Sequence, residues 1–535
     1  MNCSYLLRIA GTAAILLMVG GVSASSQDDV VTGPLPLTQS VSPSAYMRGI
    51  SADGNATPTT FRITGVRTTP AGTTIEAILL DSYGNYVSPA GAGTWVAAFG
   101  CRGDVLIRET TPVVEERLWS TDEAGTIIEI AIDHSLTSEG IAPHVIRGLN
   151  NLLPGMVGGD SVGVVIFDHN LNELSPPSPV HVAAARCNVD SVGAHNGLAG
   201  VNSALMNGLR TLEEHRAPNK ILILVTASND MTSLSLSSAD IVRKARSTGA
   251  SINVIKVGHH VHGYVYRHIA SATGGRLYAI EENAIDDAAS IIREIMYARK
   301  QHVEIFIPVT GKDHTCEDIL FKVGLRTADT LLADTIMLPI RERSFRTTRA
   351  VVAAFKDTNE VGVQDYYSLL ALLAEDLMSD SSRNLMLVGH VSTDVKGDHL
   401  ARGLQRAGYI ADFLKAYGVK EEQLQVRSEG SYKPRFFLQL DGSQRLLNNR
   451  VEAYYVLAED EPYTITVGQF ATESQAEEHV ATWQDRGFKS YFEPIVVKRE
   501  PAYQVKLWGY ATRTDAEKDA KRIKEKFKVS TSIVE

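Results

Sequence analysis

Cysteine is scarce. Four residues, Cys3, Cys101, Cys187 and Cys316, are scattered over 535 positions, which excludes a small disulfide-knit scaffold. A surplus of positive charge is missing as well. Lysine and arginine total 52 against 62 acidic residues, for a net charge of −10. No basic face of the kind that holds nucleic acid stands out, and no terminal run of one sign suggests a charged tail. Beyond the first two dozen residues no segment is apolar enough to span a bilayer. Familiar catalytic signatures find little support: there is no His-Glu-x-x-His and no cysteine with a plausible histidine partner, and the one Gly-x-Ser-x-Gly, from Gly159 to Gly163, stands at the start of an apolar run and not at the turn that follows one. Zinc-protease, serine-hydrolase and cysteine-hydrolase readings lose their support. A paired-carboxylate glycosidase stays open, because acidic residues occur throughout.

What is present is ordinary globular composition, 44% hydrophobic and 21% charged, at a length that implies three or four domains. The chain opens with an address. Arg8 precedes an apolar run from Ile9 to Val22, and Val22, Ser23 and Ala24 then supply small residues. A charged start, a short apolar stretch and a small-residue exit make a secretory signal. Cleavage after Ala24 is expected, with delivery to the periplasm or to an outer-membrane-associated envelope site. Cys3 precedes the apolar run, so it is not a lipoprotein attachment residue. Among Cys101, Cys187 and Cys316 an oxidising compartment allows one disulfide and one free thiol. Cys101 with Cys316 is one pairing; three small buried hydrophobes is the other reading.

Residues 25–58, rich in Ser, Pro, Thr and Gly, read as a tether. Alternating apolar residues with Gly, Asn and Pro punctuation over 59–124 predict short antiparallel strands of a β-sandwich. From Gly125 to Gln301 near-continuous apolar strands alternate with amphipathic helices, which predicts a doubly wound α/β domain with a parallel sheet. Strand texture returns over 302–344, and these strands are expected to complete the earlier sandwich. Residues 345–458 resume α/β alternation. In the last stretch the pattern from Tyr463 to Glu477 recurs from Tyr503 to Glu517. Each copy reads strand, turn, helix and further strand, so two copies predict a split βαβ, ferredoxin-like sandwich.

In the 125–301 segment Asp133, Ser135 and Thr137 close the first parallel strand, where open α/β sheets bind ligands. One carboxylate and two hydroxyls at this spacing offer three hard oxygens to a divalent cation. The segment resembles the von Willebrand factor A domain, whose metal-dependent adhesion site begins Asp-x-Ser-x-Ser. The resemblance implies a threonine before the next long helix, where this chain has Gly193 to Asn196. It also implies an aspartate after the following strand, where Ala227 stands, with Asp230 the nearest substitute. Two expected ligands are thus missing, and the domain reads as a protein-binding module with a degenerate metal site. Histidines 134, 169, 195, 259, 260 and 262 map to the same rim; a transition-metal site and solvated loop residues are the two readings of them.

In 345–458, Gly389 and His390 end a strand, Asp394 follows in the loop, Leu404 to Ala407 open a helix, and Asn449, Arg450, Val451 and Glu452 stand at the closing strand. This resembles the OmpA C-terminal domain, a peptidoglycan-binding module. The resemblance implies that Asp394 receives the ammonium and Arg406 the carboxylate of diaminopimelate in the stem peptide, with Asn449 and Arg450 beside them. A zwitterionic amino-acid end calls for one carboxylate and one forked cation. The family writes Gly-His-Thr-Asp where this chain has two extra residues before Asp394. Residues 461–535 resemble a SPOR domain, which implies binding of glycan strands stripped of stem peptides. Gln469, Phe470, Trp508 and Tyr510 are the candidate glycan contacts, divided by strand alternation between core and surface. Together these readings predict a non-enzymatic envelope protein that holds peptidoglycan through two modules, presents a protein-binding surface and needs no cofactor. An envelope hydrolase targeted by the same modules is the alternative.

Overall fold

A computed structural model describes residues 47–50, 56–90, 93–101, 108–117, 125–155, 159–193, 197–258, 261, 263–309, 318–328, 330–340, 349–356, 363–456, 463–498, 500–510 and 512–534. The export segment, most of the tether, Cys316 and histidines 195, 259, 260 and 262 lie outside the described residues.

Five sheets organise the chain. Two of them form the β-rich part. In the first, strand Gly72–Leu80 pairs antiparallel with both Thr60–Thr69 and His302–Ile307, and the latter pairs in turn with Val113–Arg117. In the second, Asp318–Arg326 lies between Thr94–Cys101 and Leu331–Pro339. Strands from either side of the α/β segment therefore share both sheets. Ile63, Ile75 and Ile305 of the first meet Phe99, Phe321 and Val323 of the second in one core. The charged residues buried here are paired: Arg62 donates to Glu294 at 2.5 Å, and Glu294 also accepts the Met47 amide at 3.1 Å. Cys101 is disulfide-bonded, with its partner outside the described residues, and Cys187 is a buried free thiol.

The third sheet runs Leu171–Pro179, Ser161–Phe167, Thr126–Asp133, Asn219–Thr226, Ala250–Val257 and Leu277–Ile280. Thr126–Asp133 pairs parallel with both of its neighbours and is buried along its whole length. That explains its nearly continuous apolar run, broken only by Glu129 between Ile127 and Ile132, since helices cover a parallel sheet on both faces. Helix Ser238–Thr248 shows how locally such helices are specified. Ser237 and Asp240 form a reciprocal capping box, and Gly249 ends the helix in the left-handed region at φ 71°.

The fourth sheet has the order Ala350–Ala354, Arg450–Tyr455, Leu385–His390, Leu424–Gly430. The fifth has the order Lys489–Val497, Glu500–Tyr510, Tyr463–Phe470, Ser532–Val534, with helices Glu473–Asp485 and Arg513–Phe527. Ile465, Val467, Val505 and Leu507 point to those helices and pack with Trp483 and Ile523. The chain divides into two units. Residues up to Ala124, Ser251–Ile255 and Ala270–Glu342 make one; Gly125–Ala250, Lys256–Ile269 and Arg343–Glu535 make the other. Among the described residues no helix is long and apolar enough to cross a membrane.

Candidate functional site

Helix His399–Tyr417 is started by Asp398, whose side chain accepts the Ala401 amide at 3.0 Å. It lies unusually close to strand Leu385–His390. A Cβ on Gly389 would stand 1.8 Å from the Gly403 carbonyl oxygen, so only glycine fits at this crossing. One helical turn beyond Gly403, this contact aims Arg406 inward, where it is 5% exposed. Its guanidinium donates to the His390 carbonyl at 2.9 Å and to Asn449 Oδ1 at 2.8 Å. Its central carbon sits 4.9 Å from the Phe355 ring centroid. No carboxylate pairs with it among the described residues. Burial, helped by the nearby Arg402 charge, pushes its pKa down to about 10, so the group is still a cation at neutral pH, held by oxygen dipoles and the Phe355 ring.

Asn449 joins this cation to the loop that carries Asp394. Its Oδ1 also accepts the Ser392 amide at 2.9 Å, and the Ser392 hydroxyl donates to Asp394. Asp394 is about half exposed and pairs with Arg445 at 2.7 Å. Gln439 closes the same corner, accepting from the Ser392 hydroxyl and donating to Thr393 at 2.8 Å. A buried cation and a half-exposed carboxylate thus flank one short Ser392–Asn449 bridge. Arg450 does not join them. It is 2% exposed and forks onto Glu452 at 2.7 Å. Glu452 also faces His390 at 3.4 Å, and the Arg450 and His390 charges hold its carboxyl well below the usual range against the penalty of burial. Arg450 opens the strand that Asn449, the C-cap of helix Gly442–Asn448, precedes, and its pair with Glu452 holds it in the packing instead. Ser392, Gln439, Arg445 and Phe355 were not singled out from the sequence. Only the proximity of Ser392 to Asp394 gave any hint of them.

The four aromatic and amide candidates in the last domain divide by face. Phe470 packs against the core and stacks on His479, ring centroids 4.1 Å apart. Tyr510 is 8% exposed, in the same core, with its hydroxyl 3.3 Å from Asp519. Gln469 is exposed, and Trp508 is partly exposed beneath the Lys489 ammonium at 4.5 Å. Gln469 and Trp508 therefore lie on the face of the sheet that these helices leave open, and Phe470 and Tyr510 on the helix-packed face.

At the end of Thr126–Asp133 the structure does bring Asp133, Ser135 and Thr137 together. Asp133 is fully buried and accepts from the Ser135 amide at 3.0 Å, the Ser138 hydroxyl at 2.7 Å and the Thr226 hydroxyl at 2.7 Å. The Ser135 and Thr137 hydroxyls meet Ser228 at 3.0 and 2.6 Å. A serine hydroxyl thus occupies the place where the resemblance implies a second carboxylate. Asp230 is committed elsewhere, accepting the Asn202 and Ser233 amides at 2.9 and 3.0 Å. One carboxylate among neutral hydroxyls is a poor match for a hard divalent cation, which is usually held by several charged oxygens. His169 is engaged too: its Nδ1 accepts the Leu198 amide at 3.2 Å, and its Nε2 donates to the Asp365 carbonyl at 2.5 Å. Both ring nitrogens are used, leaving neither for a metal. The one group of three or more His, Cys or carboxylate ligands that lie close together among the described residues is elsewhere, at Glu76, His302 and Glu304. Arg67 and Arg299 already occupy Glu76 at 2.8 and 2.5 Å, and Arg67 also holds Glu304 at 2.6 Å.

A family model described as the SPOR domain matches residues 459–535. No curated protein matches the chain. Among solved structures, the chain is similar to the peptidoglycan-associated lipoprotein from Burkholderia pseudomallei, with 25% identity over 21% of this chain and 91% of that one, at a TM-score of 0.18. It is also similar to the conserved hypothetical protein BatB from Bacteroides thetaiotaomicron, with 16% identity over 33% and 100% of the two chains and a TM-score of 0.27. A third is the vWF domain of the type V pili tip protein Mfa5 from Porphyromonas gingivalis, with 10% identity over 34% and 97% and a TM-score of 0.27.

Proposed function

We propose that this is a non-enzymatic protein of the cell envelope that holds peptidoglycan at two points. Residues 345–458 take the diaminopimelate end of a stem peptide, and the C-terminal SPOR domain takes glycan. The observation that carries the reading is Arg406, a buried guanidinium that meets carbonyl and amide oxygens and the Phe355 ring, with no carboxylate partner among the described residues. Burying a cation without an anion costs several kcal/mol, roughly, and a ligand carboxylate is the natural compensation. Arginine suits that role because its fork pairs with a carboxylate through two parallel bonds. Asp394, across the Ser392 and Asn449 bridge, supplies the opposite charge for an ammonium. The SPOR match independently supports an envelope polymer as the partner. Two weak sites on one repetitive polymer raise each other's occupancy through effective concentration. The von Willebrand-like domain, with its hydroxyl-lined rim, presents a protein-binding surface in this reading.

The test is retention of the purified protein on isolated sacculi, with and without their stem peptides, alongside a muropeptide assay for turnover. Retention with no change in the muropeptide profile is expected. Release of soluble fragments would favour the hydrolase alternative, and failure to bind either form of sacculus would overturn the proposal.

A further inference from the structure

The helix-free face of the SPOR sheet has a buried centre. Val505 and Leu507 fill the core, so alternation puts Gln504, Lys506 and Trp508 on the other face. The register sets Lys506 opposite Tyr491 and Gln504 opposite Glu493, which extends the same row onto the neighbouring strand. Lys506 is nonetheless only 9% exposed and Glu493 8%, although both SPOR helices pack on the opposite side. Residues of the 345–458 domain supply the cover. Lys433 Nζ stands 3.2 Å from Glu493, whose other oxygen pairs with Lys506. The Arg349 guanidinium lies between two rings, 4.9 Å from the centroid of Tyr454 and 5.9 Å from that of Tyr491. Both cations are braced from within their own domain, Lys433 by Glu429 at 3.2 Å and Arg349 by Glu452 at 3.7 Å.

This contact is built mainly from charges. Bringing an ion pair out of water offsets most of its own attraction, so a clasp of this composition closes without locking. Polar contacts between domains of one chain are commonly transient for that reason. The groups it covers are also those a sugar polymer would use: an aromatic ring and a row of amide, ammonium and carboxylate groups. Gln469 and Trp508, at the margins, remain reachable. We propose that residues 345–458 act as an intramolecular lid on the SPOR sheet, and that a glycan strand reaches the central row around Lys506 only when the clasp opens. This inference rests on the reading of that sheet as a glycan surface.

The experiment uses the purified full protein and the double variant Arg349→Ala with Lys433→Glu, both changes lying outside the SPOR domain. Two readouts are taken: acetylation of Lys506 by an amine-reactive reagent, followed by mass spectrometry, and binding to sacculi whose stem peptides an amidase has removed. The lid predicts that the variant labels Lys506 about tenfold faster and binds stripped sacculi about tenfold more tightly, the order expected when a few-kcal/mol equilibrium shifts. Lys433→Arg, in a protein that keeps Arg349, preserves the positive charge facing Glu493 and is expected to retain slow labelling. Faster labelling with unchanged binding would overturn the lid but leave glycan binding standing. Labelling that is fast already in the wild type would show that the clasp does not hold. If neither protein binds stripped sacculi, the glycan reading fails and the lid fails with it.

Discussion

Glu129 stands in the middle of the all-buried strand Thr126–Asp133, and its Oε2 finds no hydrogen-bond partner. Burial, with Glu173 nearby, pushes its pKa up to about 8 from an ordinary 4.5. The neighbours leave no room for escape: a Cβ on Gly163, directly across the sheet, would meet this carboxyl at 2.0 Å. The folded chain therefore carries Glu129 protonated at neutral pH, while the unfolded chain carries it ionised. The sign follows: no penalty exists below about pH 4.5, stability falls as pH rises from there, and the loss levels off above about pH 8. At pH 7 the span is about 2.5 pH units, which at about 1.4 kcal/mol per unit amounts to roughly 3 kcal/mol. Glu129→Gln removes the titration. Its amide brings a donor that also lacks a partner, at a cost of about 1–3 kcal/mol that does not vary with pH. The diagnostic quantity is therefore the slope. Hydrogen exchange of the strand's amides, compared between wild type and variant at each pH, cancels the intrinsic pH dependence and reports local opening. The protection of Glu129→Gln relative to wild type is expected to climb about tenfold per unit between pH 5 and 7. A ratio that stays flat over this range would refute the reasoning.

Substitutions in the SPOR domain should separate by face. Gln469→Ala and Trp508→Ala are expected to weaken retention on stripped sacculi several-fold, with the melting temperature nearly unchanged, because each removes a contact group from the open face and leaves the core intact. Tyr510→Ala is expected to lower the melting temperature instead, since truncating a core aromatic costs about 3–5 kcal/mol; the reverse pattern would place the glycan on the other face. At the rim of the 125–301 domain, Mg²⁺ is expected to leave the melting temperature where it was, because Asp133 is surrounded by hydroxyls rather than by a second carboxylate. A stabilisation approaching the ~2.7 kcal/mol of a site at hundredfold saturation would instead show that Asp133, Ser135 and Thr137 do hold a cation.

The parts of this architecture that were legible are those written in local pattern. A nearly continuous apolar octet, interrupted by Glu129 and ending in Asp133, reads as a strand covered on both faces, and the recurrence of Tyr463 to Glu477 at Tyr503 to Glu517 reads as two halves of one sheet. Long-range pairing leaves no such trace. Nothing in the alternation of His302–Ile307 says that it lies between Gly72–Leu80 and Val113–Arg117, some two hundred residues earlier. Face assignment in strand Tyr463–Phe470 was closed for a definite reason. Its register slips between Tyr463 and Ile465 and again between Thr466 and Gly468, and each bulge resets the period of two on which the inference depends. Arg450 follows Asn449 in sequence, but Asn449 caps a helix while Arg450 opens a strand and forks onto Glu452, a break between neighbours that the sequence does not mark. The partners of Arg406 and the clasp at Arg349 and Lys433 join segments far apart in the chain, and only the folded structure puts them together.

The central claim is that Arg406 waits for a ligand carboxylate. It is tested most directly by titrating a diaminopimelate-containing muropeptide into the full protein by calorimetry, comparing wild type with Arg406→Ala and Asp394→Asn. Removing one partner of a desolvated, hydrogen-bonded charge pair costs about 2–5 kcal/mol, so each variant is predicted to bind at least tenfold more weakly. Arg402→Ala, which only relieves a neighbouring positive charge, is predicted to bind like the wild type. Wild-type affinity in a folded Arg406→Ala protein would contradict the account.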